Sequence, residues 1–124
     1  GALMLSPMKG SGTVGATQTV SAVTNGGTKT VYRVFGGDSR AQGFSWTPIN
    51  PQKVSNYRNK AGLPSGGESG FNNTADFMIK GEVKTQNVIK KRAALPLDGN
   101  KGGLPEYIIN PEHVNITNFT VLKP

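Results

Sequence analysis

Hydrophobic residues occur after residue 29 in short runs, separated by stretches rich in glycine, proline and asparagine. Residues 30–35, Thr-Val-Tyr-Arg-Val-Phe, are β-branched or aromatic apart from one arginine, and a glycine pair follows them. Such a run predicts a strand that ends in a turn, with Val31, Arg33 and Phe35 on one face. Further strands are predicted over residues 44–47, 76–83, 106–109, 113–117 and 119–121.

The clearest helix signal covers residues 51–61. Asn50 is a candidate N-cap, Pro51 stands at the first helical position, and Gly62 follows the last one. Residues 85–92 fit either a short helix or a strand. Together these elements predict an α+β domain: a small, mainly antiparallel twisted sheet with one or two short helices and long glycine-rich loops.

Residues 1–29 differ in composition from the rest of the chain. They are rich in glycine, serine and threonine, and their charged residues are Lys9 and Lys29. Such a segment buries too little apolar surface to offset its ordering entropy. We therefore predict a flexible linker or N-terminal extension, in which residues 19–23 could add an edge strand. The functional domain is predicted over residues 30–124, and we expect the chain to be a fragment of a longer protein.

Charge and composition narrow the classes of function. The chain carries 14 Lys and Arg against 7 Asp and Glu, a formal net charge of +7, with no Cys and one His. The missing cysteines exclude disulfides, thiolate zinc sites and a thiol nucleophile, and a single histidine excludes metal sites built on several imidazoles. No apolar run has the length of a membrane-spanning helix. The positive charge favours an anionic partner, nucleic acid first and an acidic protein second.

Three side chains are candidates for catalysis. The reference pKa of histidine lies near neutrality, so His113 is a candidate to take up and return the proton that metal-independent RNA cleavage moves. The alternative is an exposed loop histidine. Arg33 can neutralise the charge that grows on a phosphorus atom, or it can form a structural ion pair. Glu106 can act as a base or orient His113, or it can lie solvated at the end of a strand.

Basic and aromatic side chains supply a candidate RNA-binding set. Residues 90–92 form the densest basic stretch, and such side chains bind phosphate without sequence specificity, although a charge run is more often a solvated face. Aromatic rings stack on unpaired bases, although in a small domain most of them belong to the core. The set comprises Arg40, Trp46, Tyr57, Lys90, Lys91 and Arg92. No metal ligand is predicted.

Four segments of the chain carry a recognisable pattern. Residues 32–39 read Tyr-Arg-Val-Phe-Gly-Gly-Asp-Ser, and residues 45–48 read Ser-Trp-Thr-Pro. Residues 56–64 run from Asn-Tyr-Arg to Ala-Gly-Leu-Pro, and residues 95–106 read Leu-Pro-Leu-Asp-Gly-Asn-Lys-Gly-Gly-Leu-Pro-Glu. Over residues 31–121 the chain thereby resembles the C-terminal toxin domains of bacterial polymorphic toxins, which include contact-dependent growth-inhibition proteins.

The resemblance implies a setting and a site. The domain would be secreted as part of a larger effector, act in the cytoplasm of a neighbouring bacterium and be blocked by a cognate immunity protein. Several such toxins are transfer-RNA nucleases, and some require elongation factor Tu as a partner. Under this resemblance His113 is the acid or base, while Arg33 and Thr47 hold the scissile phosphate.

Three functional hypotheses follow. The leading one is an antibacterial toxin domain with metal-independent ribonuclease activity. We expect its substrate to be transfer RNA, and we expect it to need no cofactor. The alternative is an ADP-ribosyltransferase-like or NAD-consuming toxin domain. Its pattern, an Arg on the first strand, a Ser-x-Thr strand and a later Glu, is matched by Arg33, residues 45–47 and Glu106. The third is a binding module without catalysis.

Overall fold

The computed structural model describes residues 27–123, which form six strands and a few short helical segments. Residues 1–26 of the predicted linker, with the candidate edge strand at 19–23, lie outside the described residues, whereas Thr28 and Lys29 already belong to the first strand. The strands are β1 (Thr28–Gly37), β2 (Ser45–Trp46), β3 (Asn73–Lys84), β4 (Val88–Ala93), β5 (Pro105–Ile109) and β6 (Asn115–Val121).

The strands form two small antiparallel sheets rather than the single sheet that the sequence predicts. One has the order β1-β3-β6 and the other the order β2-β5-β4. Tyr32 of β1 and Thr47, just after β2, exchange backbone hydrogen bonds of 2.8 and 2.9 Å, so the two sheets meet at this bridge. The predicted mainly antiparallel α+β fold with short helices is thereby confirmed in its coarse form.

The core lies between the two sheets. Its buried cluster draws on both of them: Val31, Trp46, Ile79, Val83, Ile109 and Val114. Val31 and Ile109 are fully buried, which fits the β-branched character of the runs that predict their strands. Packing of both sheets on this cluster keeps their shared boundary, where the candidate site lies, in a fixed geometry.

The predicted helix over residues 51–61 is wrong as a continuous element. A 3₁₀ turn (Pro51–Lys53) is followed by a separate five-residue helix, α1 (Tyr57–Ala61). Asn50 is an N-cap, as the sequence predicts, but of the 3₁₀ turn: its side chain accepts a hydrogen bond from the Gln52 amide at 3.0 Å. Val54 is extended and Asn56 adopts a left-handed conformation with φ 52°, which asparagine tolerates better than most residues, so the helical path is broken between the two segments.

The helical segments of residues 27–123 are all short, and none of them has the length and apolar character of a membrane-spanning helix.

Two other regions refine the sequence predictions. The ambiguous residues 85–92 contain a 3₁₀ turn (Thr85–Asn87) and then β4, so the strand alternative holds for most of them. The strand predicted from residue 113 begins only at Asn115, because Pro111 and the Asn110 cap form a 3₁₀ turn (Pro111–His113). His113 therefore ends this turn instead of opening a strand.

Candidate active site

A cavity of about 360 Å³ lies where β1 meets the β2-β5-β4 sheet. Its polar residues come from β1 to β5, from α1 and from the loop residues Ser39 and Thr47, and other loop residues such as Leu63 and Leu97 add apolar walls. The size falls within the range of small-molecule sites. The side chains that give it chemical character are Arg33, Ser45, Tyr57, Arg92 and Glu106.

Glu106 is a partly buried carboxylate on the middle strand of its sheet. Its side chain is 15% exposed, and each carboxylate oxygen accepts from a neighbouring strand. The Ser45 hydroxyl of β2 donates to Oε2, and Nε of Arg92 on β4 donates to Oε1 at 2.8 Å. The carboxylate is thus oriented from both sides, and each oxygen still has a free lone pair.

Arg33 supplies a guanidinium that organises the loop between β1 and β2. Nε donates to the Ala41 carbonyl at 3.0 Å, Nη1 to the Ser45 carbonyl at 3.0 Å, and Nη2 to the Arg40 carbonyl at 2.7 Å. Nη2 also donates to the Ser39 hydroxyl at 3.3 Å. Nη1 makes one hydrogen bond, so its second hydrogen has no acceptor among the described residues.

The Arg33 charge has no acidic partner within residues 27–123, where the ion pairs are Arg92–Glu106 and Lys123–Asp76. Burial lowers the pKa of Arg33 because the charged form loses hydration, while the neighbouring Tyr57 acts in the opposite direction. Arginine keeps its charge in proteins even so. The cavity wall therefore contains a cation that no carboxylate neutralises, which favours an anionic ligand.

Tyr57 contributes a neutral phenol to the cavity from α1. Burial raises the pKa of Tyr57 above its usual value of 10, and the Glu106 charge raises it further, against an opposing effect of Arg33. The phenol therefore remains protonated at physiological pH. Its hydroxyl makes no hydrogen bond to any other described residue, so it is free to meet a ligand.

Trp46 and Thr47 line the cavity mainly as structural residues. The Trp46 ring is 2% exposed, and its Nε1 donates to the Gly43 carbonyl at 2.8 Å. The predicted stacking role of Trp46 on a base does not fit this placement, because the residue is almost wholly buried. The Thr47 side chain is buried and its Oγ1 accepts from the Ile49 amide at 3.2 Å.

The structure separates the predicted catalytic residues into two groups. Arg33, Thr47 and Glu106 line the cavity, whereas His113 is exposed and lies outside its lining. Of the predicted RNA-binding set, Trp46, Tyr57 and Arg92 line the cavity. The exposed members outside it are Arg40, Lys90 and Lys91.

Hydrogen bonds that Asp98 accepts from Ser65 and Ser69, which the sequence does not predict, stabilise one wall of the cavity. Asp98, in the turn closed by Leu97 and Asn100, accepts from the Ser65 and Ser69 amides at 2.8 Å each and from the Ser69 hydroxyl. These donors lower the pKa of Asp98 to about 2. The Asp-Gly pair predicts the turn, but not that its carboxylate binds a loop some thirty residues earlier.

Comparisons of the chain with protein-family models, with characterised proteins and with solved structures find no match.

Proposed function

We propose that this domain cleaves the bond between nicotinamide and ribose in NAD⁺, as an ADP-ribosyltransferase-like or NAD-consuming toxin domain. The single observation that carries the proposal is the meeting of Arg33, Ser45 and Glu106 at one cavity. They lie on three different strands, and Ser45 is 61 residues from Glu106. These residues also match the order Arg, Ser-x-Thr, Glu that defines the alternative hypothesis.

Glu106 has the properties that this reaction requires. When nicotinamide departs with the bonding electron pair, positive charge develops on the ribose carbon that held it. A carboxylate fixed nearby stabilises that charge, as in glycoside cleavage. The lone pairs that Ser45 and Arg92 leave free can accept a ribose hydroxyl. Water or an acceptor side chain then bonds to the ribose carbon and releases a proton.

Arg33 and Tyr57 would bind opposite ends of the nicotinamide mononucleotide half of NAD⁺. The uncompensated Arg33 charge and its free Nη1 hydrogen suit a phosphate oxygen. The Tyr57 ring, with a phenol that stays protonated, offers a flat apolar surface for the nicotinamide. In the setting that the resemblance implies, loss of NAD⁺ or modification of an essential protein would poison the recipient bacterium, and the immunity protein would block the cavity.

The ribonuclease hypothesis stays a prediction that requires a different site. Its proton carrier, His113, does not line the cavity that contains Arg33 and Glu106. RNA would instead contact the exposed Lys90 and Lys91 of β4. Binding to elongation factor Tu belongs to the same hypothesis.

Nicotinamide release from NAD⁺ by the purified chain tests the proposal. We expect wild type and His113→Ala to release nicotinamide, and Glu106→Gln to lose about 100-fold or more in kcat. The matched control is Glu112→Gln, which changes an exposed carboxylate outside the cavity and should leave the rate unchanged.

A parallel incubation with total RNA in EDTA separates the three hypotheses. RNA cleavage that His113→Ala abolishes, with NAD⁺ left intact, would reject the proposal in favour of the ribonuclease. A folded chain that leaves both NAD⁺ and RNA unchanged, with acceptor proteins from a bacterial lysate present, would favour the binding module.

A further inference from the structure

Arg92 and Glu106 form the one ion pair of the described residues that lies at the cavity. The two residues stand directly opposite each other in the register of β4 and β5. Nε of Arg92 lies 2.8 Å from Oε1 of Glu106, and their side chains are 34% and 15% exposed. The backbone pairing therefore presents the cation to the carboxylate before any ligand binds.

A β-bulge in β4 creates this pairing. The register between β4 and β5 shifts by one residue at Ile89, which is left without a partner on β5. In an unbroken register Lys91 would stand opposite Glu106, and the bulge puts Arg92 there instead. Residues that are opposite in a ladder share a face, so the bulge moves Arg92 to the cavity side. Bulges commonly re-aim a side chain in this way next to a site.

The ion pair orients the Glu106 carboxylate but leaves part of its hydrogen-bonding capacity free. Arg92 uses Nε for the carboxylate, and its terminal nitrogens make no hydrogen bond to any other described residue. The other charged or titratable residues that line the cavity are Tyr32 and Arg33 from β1 and Tyr57 from α1. None of these three donates to the Glu106 carboxylate, whereas Arg92 does. A carboxylate this poorly exposed is costly to keep charged without such a partner.

We propose that Arg92 is the positioning residue of this site, which holds the Glu106 carboxylate fixed in orientation while Glu106 itself meets the substrate. The inference rests on the proposed cleavage of NAD⁺. Arg92 acts through Glu106, so its removal should slow the chemical step without weakening NAD⁺ binding.

Steady-state kinetics of nicotinamide release test this assignment with Arg92→Gln, Arg92→Lys, Glu106→Gln and the double variant. We expect Arg92→Gln to lower kcat and kcat/KM together by about tenfold to 100-fold, because a misplaced group costs rate and not affinity. Arg92→Lys keeps the charge and should recover part of the loss. In the Glu106→Gln background, removal of Arg92 should cause no further loss. Lys53→Gln, which removes an exposed charge far from the pair in sequence, should match wild type.

The outcomes distinguish failure of this inference from failure of the proposed function. If wild type releases no nicotinamide, the proposed function fails, and the inference with it. If wild type is active, an Arg92→Gln variant with an unchanged kcat, or with a raised KM alone, overturns only the positioning role. The positioning role is also overturned if the losses of kcat from Arg92→Gln and Glu106→Gln add up in the double variant. Circular dichroism checks folding, and where Arg92→Gln does not fold, Arg92→Lys carries the same comparison.

Discussion

Replacing Arg33 with methionine should destabilise the domain through the loop that the guanidinium organises. Methionine retains an apolar stem, but the carbonyls of Arg40, Ala41 and Ser45 lose their donor. The bonds to Arg40 and Ser45 are exposed, so water replaces much of each, at about 0.5 kcal/mol apiece. The partly buried bond to Ala41 is worth about 1.5 kcal/mol. Through these three bonds the free energy of unfolding should fall by about 2.5 kcal/mol, and Tm by about 10–20 °C for a domain of this size.

Thermal unfolding followed by circular dichroism at pH 7 measures this loss. The matched control is Arg40→Met, since the Arg40 side chain is exposed and makes no hydrogen bond to other described residues. It should change the free energy of unfolding by less than about 0.5 kcal/mol. Arg33→Lys should lose nearly as much as Arg33→Met, because an ammonium cannot reproduce the planar fork. A Tm for Arg33→Met within a few degrees of wild type would show that the guanidinium does not hold the loop.

Three further predictions concern single side chains. Gly43→Ala should lower Tm, since an added Cβ would lie 2.5 Å from Cζ of Arg33 and displace it; thermal unfolding measures the shift. Asp98→Asn should lower Tm at pH 7, and the difference from wild type should shrink as the pH falls from about 4 towards 2. The reason is that a carboxylate with a lowered pKa contributes stability above its unfolded pKa and loses it on protonation. Ultraviolet difference titration of wild type against Tyr57→Phe should show no ionisation of Tyr57 below about pH 11, because burial raises its pKa. Ionisation near pH 10 would contradict that burial.

Local sequence patterns predict the strands well and the helix poorly, for a physical reason. Runs such as residues 30–35 and 76–83 combine β-branched and aromatic side chains with nearby turn residues, and both runs lie within strands. The helix over residues 51–61 has correct signals at both ends, Asn50 and Gly62, but Asn56 takes a left-handed conformation between them. Cap signals mark where helical turns begin and end, and they do not report an interruption between them.

The candidate site was also only partly predictable, because its contacts join residues that are far apart in the sequence. Rarity in the composition draws attention to His113, but a count carries no information on where the side chain lies. Position depends on strand pairing: Ser45 reaches Glu106 because β2 pairs with β5, and Arg92 reaches it because of the bulge at Ile89. Without the bulge Lys91 would stand opposite Glu106 in place of Arg92, although the charge pattern of residues 90–92 would be the same. The chemistry of the cavity thus depends on a register that the sequence pattern leaves undetermined. Arg33 and Glu106 could therefore be chosen as candidates, but the contacts of Glu106 with Ser45 and Arg92 could not be predicted.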